Sequence, residues 1–548
     1  RGRGRACVPP RPVSPPRLLP GLVSLGAVAA LVGGAFAGLI AEGARDWDGA
    51  LSAFDGYMFR VARFTLLQAG LSTLLSVVPA LAVARALSRH PAFPGRGLIL
   101  KLFAVPLALP AIVAAMGVLA LFGRAGIFAP VLSLLYDGGW PGIYGLSGIL
   151  VAHVFFNLPL ATRLFLEALD TVPTDQWRLA SQLGMGASAS FRLIEWPVLR
   201  AAMPGIAGLV FMLCITSFTI VLTLGGGPAA STLEVAIYQA LRFDFDPARA
   251  VALTLMQIAL TLTVVVALTR LGANVTGDAN LAVARRRPVA IGSVERTFNA
   301  LSILLALFLV AGPMAAIVLS GLKADLFRLI GEAGFHRALI TSLVLAVLSA
   351  SLAATTAWSL AAARWAASRR RRRASGDPGL IERVLDTGAS SVLVVPPIVI
   401  GAGWFVLLRH VADVFAIAPV MVATVNAVMA MPFALRAIRP AHDTAATRHD
   451  RLCESLGVSG WNRLRLIDWP VLRRPLATGF AFAMALSLGD LGVIALFGSD
   501  ALKTLPYLLY ERMGSYRTAD AAGLALLLGL FCLTLILVAD WLGRERKT

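Results

Sequence analysis

The chain reads as an all-α polytopic membrane protein with about 12 transmembrane helices, arranged as two homologous six-helix halves. Three observations lead there. Of its 548 residues 58% are hydrophobic and only 14% charged, with a mean hydropathy of +0.78, more apolar surface than a soluble fold can cover. The apolar residues come in runs of spanning length separated by polar segments. One polar segment occurs twice: Gly184, Ile194 and Pro197 recur as Gly457, Ile467 and Pro470 at a constant offset of 273, a period suited to duplication of a whole half rather than to a solenoid.

In chain order, residues 1–17 hold five Arg and five Pro and read as a disordered basic tail rather than a cleavable leader. Apolar runs predict spans near 18–41, 63–87, 99–123, 143–166, 200–224 and 250–271. A second set follows near 298–320, 338–363, 386–408, 413–435, 473–497 and 518–541. Between the sets lies a polar stretch, 273–297, containing Arg285-Arg286-Arg287-Pro288 and suited to a cytoplasmic linker. The domains are therefore 18–272 and 298–548.

The net charge of +19 could suggest nucleic acid, but a nucleic-acid surface gathers its charge on one soluble face, and here it falls in bursts between apolar runs. With the N-terminus inside, 36 of the 49 Lys and Arg lie on the inner side. That bias is the positive-inside rule, and it predicts both termini cytoplasmic in a bacterial inner membrane. The densest run, Arg369 to Arg373, reads as a solvated inner loop. Trp47, Tyr57, Tyr136, Trp140 and Tyr144 fall near outer span ends, as interfacial aromatics do.

Catalytic and metal-binding motifs are missing. The nearest approach to a phosphate loop, Gly498 to Thr504, lacks its second Gly, and no HExxH, CxxC or nucleophile elbow occurs. Cys7, Cys214, Cys453 and Cys532 are scattered and read as packing residues. A transporter that does not itself hydrolyse ATP is the class that fits.

Each repeated segment follows the fourth span of its half and runs about 35 residues on the inner side. Residues Arg178-Leu179-Ala180-Ser181-Gln182-Leu183-Gly184 predict a short helix with Leu179, Ala180 and Leu183 on one face and Gly184 closing it. Arg451-Leu452-Cys453-Glu454-Ser455-Leu456-Gly457 repeats the pattern, and Pro197 and Pro470 open the next span, where a Pro costs a helix least. Two such helices presented to the cytoplasm suit a partner with two equivalent sockets.

These segments resemble the EAA loop of ABC importer permeases, an E-A-A opening, a Gly four residues after the second Ala, and I-x-L-P after nine more. Gly184, Ile194 and Pro197 match, as do Gly457, Ile467 and Pro470; Arg178 and Arg451 stand where the leading Glu would be, Cys453 replaces an Ala, and Trp196 and Trp469 replace the Leu. Stretches such as Ala152-His153-Val154-Phe155-Phe156-Asn157-Leu158-Pro159, Leu224-Gly225-Gly226-Gly227-Pro228 and Gly514-Ser515-Tyr516-Arg517 narrow the resemblance to thiamine importer permeases, a fused two-domain branch. The resemblance implies a type I ABC importer permease fold, a cytoplasmic ATPase dimer that binds ATP and Mg, a periplasmic thiamine-binding protein, and no cofactor on this chain. The cargo would be thiamine or its phosphate esters. A fused ferric-iron permease is the alternative within the class, and an ion-coupled secondary transporter the more distant one.

Candidate pathway residues are few. Asp490 is the acid inside a predicted span, a functional candidate because a carboxylate there costs on the order of 3 kcal/mol on insertion scales, and a passing thiazolium cation would favour it. Ser217 is its counterpart in the first half. Asn157 and Asn426 are weaker candidates, since an interhelical hydrogen bond explains a membrane Asn equally well. His153, one turn before Asn157, reads as a packed neutral histidine rather than a proton carrier.

Overall fold

Apolar runs of spanning length can satisfy their backbone in lipid only as helices or closed barrels. The computed structural model is helical wherever it is regular among the described residues, 18–91, 93–136, 139–270, 292–371, 379–392, 395–515 and 517–543. The basic tail, most of the linker and much of the Arg369 to Arg373 run lie outside them.

The first half comprises α1 (Leu18–Arg45), α2 (Gly56–Arg89), α3 (Ala111–Phe122), α4 (Leu146–Asp170), α5 (Thr174–Gln182), α6 (Trp196–Ile215), α7 (Phe218–Leu224), α8 (Leu233–Arg242) and α9 (Pro247–Arg270). The second comprises α10 (Ser293–Leu322), α11 (Ala333–Arg371), α12 (Pro397–Leu408), α13 (Val414–Ser455), α14 (Trp469–Gly489), α15 (Gly492–Phe497), α16 (Leu505–Gly514) and α17 (Thr518–Gly543). Ten helices among the described residues are long and apolar enough to cross a membrane. The other two expected spans take a different form: 99–123 is a helix pair bent by 114° before α3, and 386–408 ends in the short apolar α12.

Two further spans are interrupted. The run expected at 200–224 divides into α6 and α7, and that at 473–497 into α14 and α15, so the fifth span of each half breaks at the same place. In both halves the second, fourth and fifth spans pack together, α2 with α4 and α6, α11 with α13 and α14. The first helices cross over instead. Helix α1 packs chiefly on α11 and α12 of the second half, and α10 lies on α3 and α2 of the first. Glycine makes both crossings possible: a Cβ on Gly403 of α12 would stand 2.3 Å from the Ala35 carbonyl oxygen, and one on Gly117 of α3 would stand 2.7 Å from that of Pro313. Small residues of this kind let membrane helices approach backbone to backbone.

Candidate functional site

The repeated segments are built alike up to a point. In the first, α5 ends as a Schellman motif, with Met185 N–H donating to the Ala180 carbonyl at 2.9 Å, Gly184 N–H to that of Ser181 at 3.2 Å, and Gly184 left-handed at φ +64°. In the second, Val458 N–H donates to the Cys453 carbonyl at 2.9 Å, and Gly457 has φ +67°. The expected short helix is separate only in the first half. In the second it is the end of the 42-residue α13, because Pro173, which opens α5, is matched by Ala446, and Ala lets the helix run on.

The apolar residues of this helix do not share a face as expected. Ala180 and its counterpart Cys453 are buried, each 2% exposed, whereas Leu179, Leu183, Leu452 and Leu456 lie 53–68% exposed. A small residue is what the buried position accepts, which accounts for Cys453. Arg178 and Arg451 are exposed. Beyond the turn, Phe191–Glu195 and Leu464–Asp468 are both π-helical and contain the half-buried Ile194 and Ile467; Pro197 and Pro470 then sit in the first turn of α6 and α14.

The two segments are anchored differently. Glu195, fully buried, accepts from Arg85 Nε and Arg89 Nε, both at 2.9 Å, and these guanidinium groups also hold Glu295 at the start of α10, at 2.9 and 2.7 Å. Arg89 further donates to the Ala187 carbonyl at 3.0 Å. The first segment is thus tied to α2 of its own half and to α10 of the other. In the second, Arg463 pairs with Asp450 and, at 3.4 Å, with Asp468, while Trp365 Nε1 donates to Asp450 at 2.8 Å. Burial opposes the charge on Arg463, but the hydrogen bond to Asp450 and the charges of Asp450 and Asp468 together outweigh it and hold its pKa above the usual value.

Inside the membrane, two polar clusters occupy corresponding places. In the first half His153 lies 2.8 Å from Ser72 Oγ through Nδ1 and 2.8 Å from Ser217 Oγ through Nε2, joining α2, α4 and the α6–α7 break. Asn157 Nδ2 donates to Cys214 Sγ at 3.3 Å, and Gln68 Nε2 to the Cys214 carbonyl at 2.8 Å. In the second half Asn426 Nδ2 donates to Ser487 Oγ, and Ser487 Oγ to Ser349 Oγ, both at 3.1 Å. The offset of 273 matches His153 with Asn426, Cys214 with Ser487 and Ser217 with Asp490, and an offset of 277 matches Ser72 with Ser349.

Asp490 is therefore not in the interior of a continuous span. It lies, half-buried, at the break between α14 and α15, where its carboxylate accepts from Gly492 N–H at 3.2 Å and Val493 N–H at 3.3 Å and so caps α15. The break faces the other half closely: Cβ atoms built on Gly489 and Gly492 would lie 3.1 Å from Pro110 and 3.8 Å from Phe218. The candidates Asp490, Ser217, Asn157 and Asn426 thus lie in or beside two clusters that also take in Gln68, Ser72, Ser349 and Ser487, none of them a sequence candidate, and His153 is buried as expected of a packed neutral histidine. The signal was present in the spacing of Thr65, Gln68, Ser72 and Ser76, one stripe along α2, every member buried.

The family model for binding-protein-dependent transport system inner membrane components matches residues 49–277 and 359–544, once in each half. The chain is 56% identical over 527 residues to the thiamine transport system permease protein ThiP of Brucella abortus, covering 96% of this chain and 95% of that one. It is 41% identical to the protein of that name from Escherichia coli over 540 residues, 98% and 99% of the two chains. With that of Haemophilus influenzae the identity is 38% over 520 residues, 93% and 94%.

Proposed function

The chain belongs to the family of binding-protein-dependent transport system inner membrane components, and from that premise we propose that it is the membrane-spanning permease of an ATP-driven importer for thiamine or its phosphate esters. The observation that carries the mechanism is the duplicated inner segment, which exposes Leu179 and Leu183 in one copy and Leu452 and Leu456 in the other. Pairs of large apolar side chains held out from capped helices suit a partner that supplies two like grooves. That partner is a cytoplasmic ATPase dimer carrying ATP and Mg, and the helices ending at Gly184 and Gly457 transmit its closure.

Arg178, Ala180, Ile194 and Pro197, with Arg451, Cys453, Ile467 and Pro470, shape the two contacts. Both termini are cytoplasmic in this reading, supported by the excess of Lys and Arg on the inner side. A periplasmic thiamine-binding protein delivers the cargo, and the names of the relatives support its identity.

Asp490 and Ser217 line the pathway where the fifth spans break, supported by His153, Asn426 and Asn157. Helix breaks at membrane depth are tolerated where they are buried or line a passage. Reconstitution of the chain with its ATPase and binding protein tests the reading: thiamine-loaded binding protein should stimulate ATP hydrolysis and drive uptake. Stimulation by ferric ion and not by thiamine would overturn it.

A further inference from the structure

Helices α2, α8 and α9 of the first half border an open cavity of about 440 Å3, walled by Tyr57, Gln239, Phe243, Asp244, Arg249 and Leu253. Further along the same three helices comes a layer of buried polar side chains with unpartnered atoms. On α2 it is Gln68, whose Oε1 is free, about three turns beyond Tyr57; on α9 it is Gln257, both amide atoms free, about one turn beyond Leu253. On α8 it is Glu234, with Oε1 free, and Thr232 Oγ1 just ahead of the helix. None of these atoms has a hydrogen-bond partner among the described residues, and all four side chains are at most 1% exposed. Leu233 N–H donates to Thr65 Oγ1 at 3.1 Å, which sets the start of α8 against α2 within a turn of Gln68, and α9 packs along α8.

Unpartnered polar atoms at membrane depth are costly, so they call for a reason. The second half shows that the fold does not need them. There Leu345 replaces Gln68 at the offset of 277, and at an offset of 271, which aligns the buried faces of α9 and α17, Leu528 replaces Gln257 and Cys532 replaces Thr261. The outer end of that three-helix group is filled by ion pairs: Glu332 with Arg512 at 2.7 Å, Arg517 with Asp520 at 2.5 Å, and Arg328 with Asp520. The corresponding positions are thus apolar in the buried layer and ion-paired at the end in one copy, and polar in the buried layer in the other.

We propose that the cavity between α2, α8 and α9, with the buried layer of Gln68, Glu234 and Gln257, is a binding site of the first half alone for an organic cation that also presents hydrogen-bond donors and acceptors. The proposal rests on the transport reading above and names where the cargo halts in transit. Glu234 supplies a carboxyl whose charged form a bound cation would stabilise in the apolar surround. Gln257 supplies a donor and an acceptor, and Gln68 supplies the acceptor Oε1, its Nε2 being engaged by the Thr65 and Cys214 carbonyls. At the mouth Asp244 lines the wall, and the charge of Arg249, stacked 4.8 Å from the Tyr57 ring centre, is paired with Asp55 at 3.1 Å. Arg242, at the end of α8, donates to the Gly498 carbonyl at 2.8 Å, so the site adjoins the second half just past α15 and would respond to motion between the halves.

Equilibrium dialysis of tritiated thiamine against the purified full-length chain in lipid nanodiscs tests this, run beside uptake by the reconstituted importer. The wild type should bind saturably, Glu234→Gln should weaken binding at least tenfold, and Gln257→Leu, which installs the second half's residue, should weaken it without lowering the melting temperature. Leu528→Gln should leave binding unchanged. Uptake by the wild type with no saturable binding, or either first-half variant binding as the wild type does, overturns the site. Wild-type vesicles that take up no thiamine at all would instead overturn the transport reading.

Discussion

Arg89 Nη1 stands 2.7 Å from Glu295 Oε1, joining the second helix of the first half to the first helix of the second, while Nε of the same guanidinium holds the fully buried Glu195 of the π-turn at 2.9 Å. Removing one member of a buried, hydrogen-bonded ion group leaves an uncompensated charge. Arg89→Gln should therefore destabilise the purified chain by about 3 kcal/mol. Glu295→Gln, at a more exposed carboxylate, should cost about 1 kcal/mol. Melting of the two variants in one lipid system checks the order.

Gly184 and Gly457 hold left-handed backbone, and a Cβ at either would meet nothing within 4 Å. The strain of substitution is thus conformational rather than steric, on the order of 1–2 kcal/mol per residue. Asn tolerates this conformation, so Gly184→Asn with Gly457→Asn should keep most uptake. Val at both positions should abolish uptake while the protein still inserts, as measured by transport normalised to membrane-embedded protein.

The Asp490 cap at the break between α14 and α15 allows charge and geometry to be separated. Gly492 and Val493 donate to different oxygens of the carboxylate, so Asp490→Asn keeps one of the two acceptors and should lose less than Asp490→Ala, which should cost about 1 kcal/mol. Uptake in Asp490→Asn should fall at least tenfold if the charge serves the cargo. Normal uptake in that variant would leave Asp490 as a cap alone.

Leu179, Leu183, Leu452 and Leu456 are exposed and contribute little packing within the chain. Changing all four to Ser should alter stability by no more than about 0.5 kcal/mol per site. Co-purification with the ATPase should nevertheless be lost. Retention of the complex would refute the docking role.

Hydropathy and the offset of 273 made the membrane class, the order of the spans and the duplicated polar segment legible, because each is a property of contiguous residues that lipid and water sort locally. Gly184 could be read as a helix stop for the same reason: a left-handed residue after an apolar turn is local chemistry. The division of α6 from α7 was less visible, since Thr216-Ser217 interrupts an apolar run without any Gly or Pro.

Tertiary structure alone decided which helices meet. Nothing near Glu42 in sequence announces that α1 crosses to the second half and pairs there with Arg409 and His410, the latter at 2.9 Å. Nor could spacing tell that His153 reaches Ser217, 64 residues on, or that Glu195 and Glu295 share two arginines. Such pairings depend on how closely helix backbones approach, set here by residues such as Gly117 and Gly403. A helix pattern repeated every 3.6 residues records which face is buried, not what buries it.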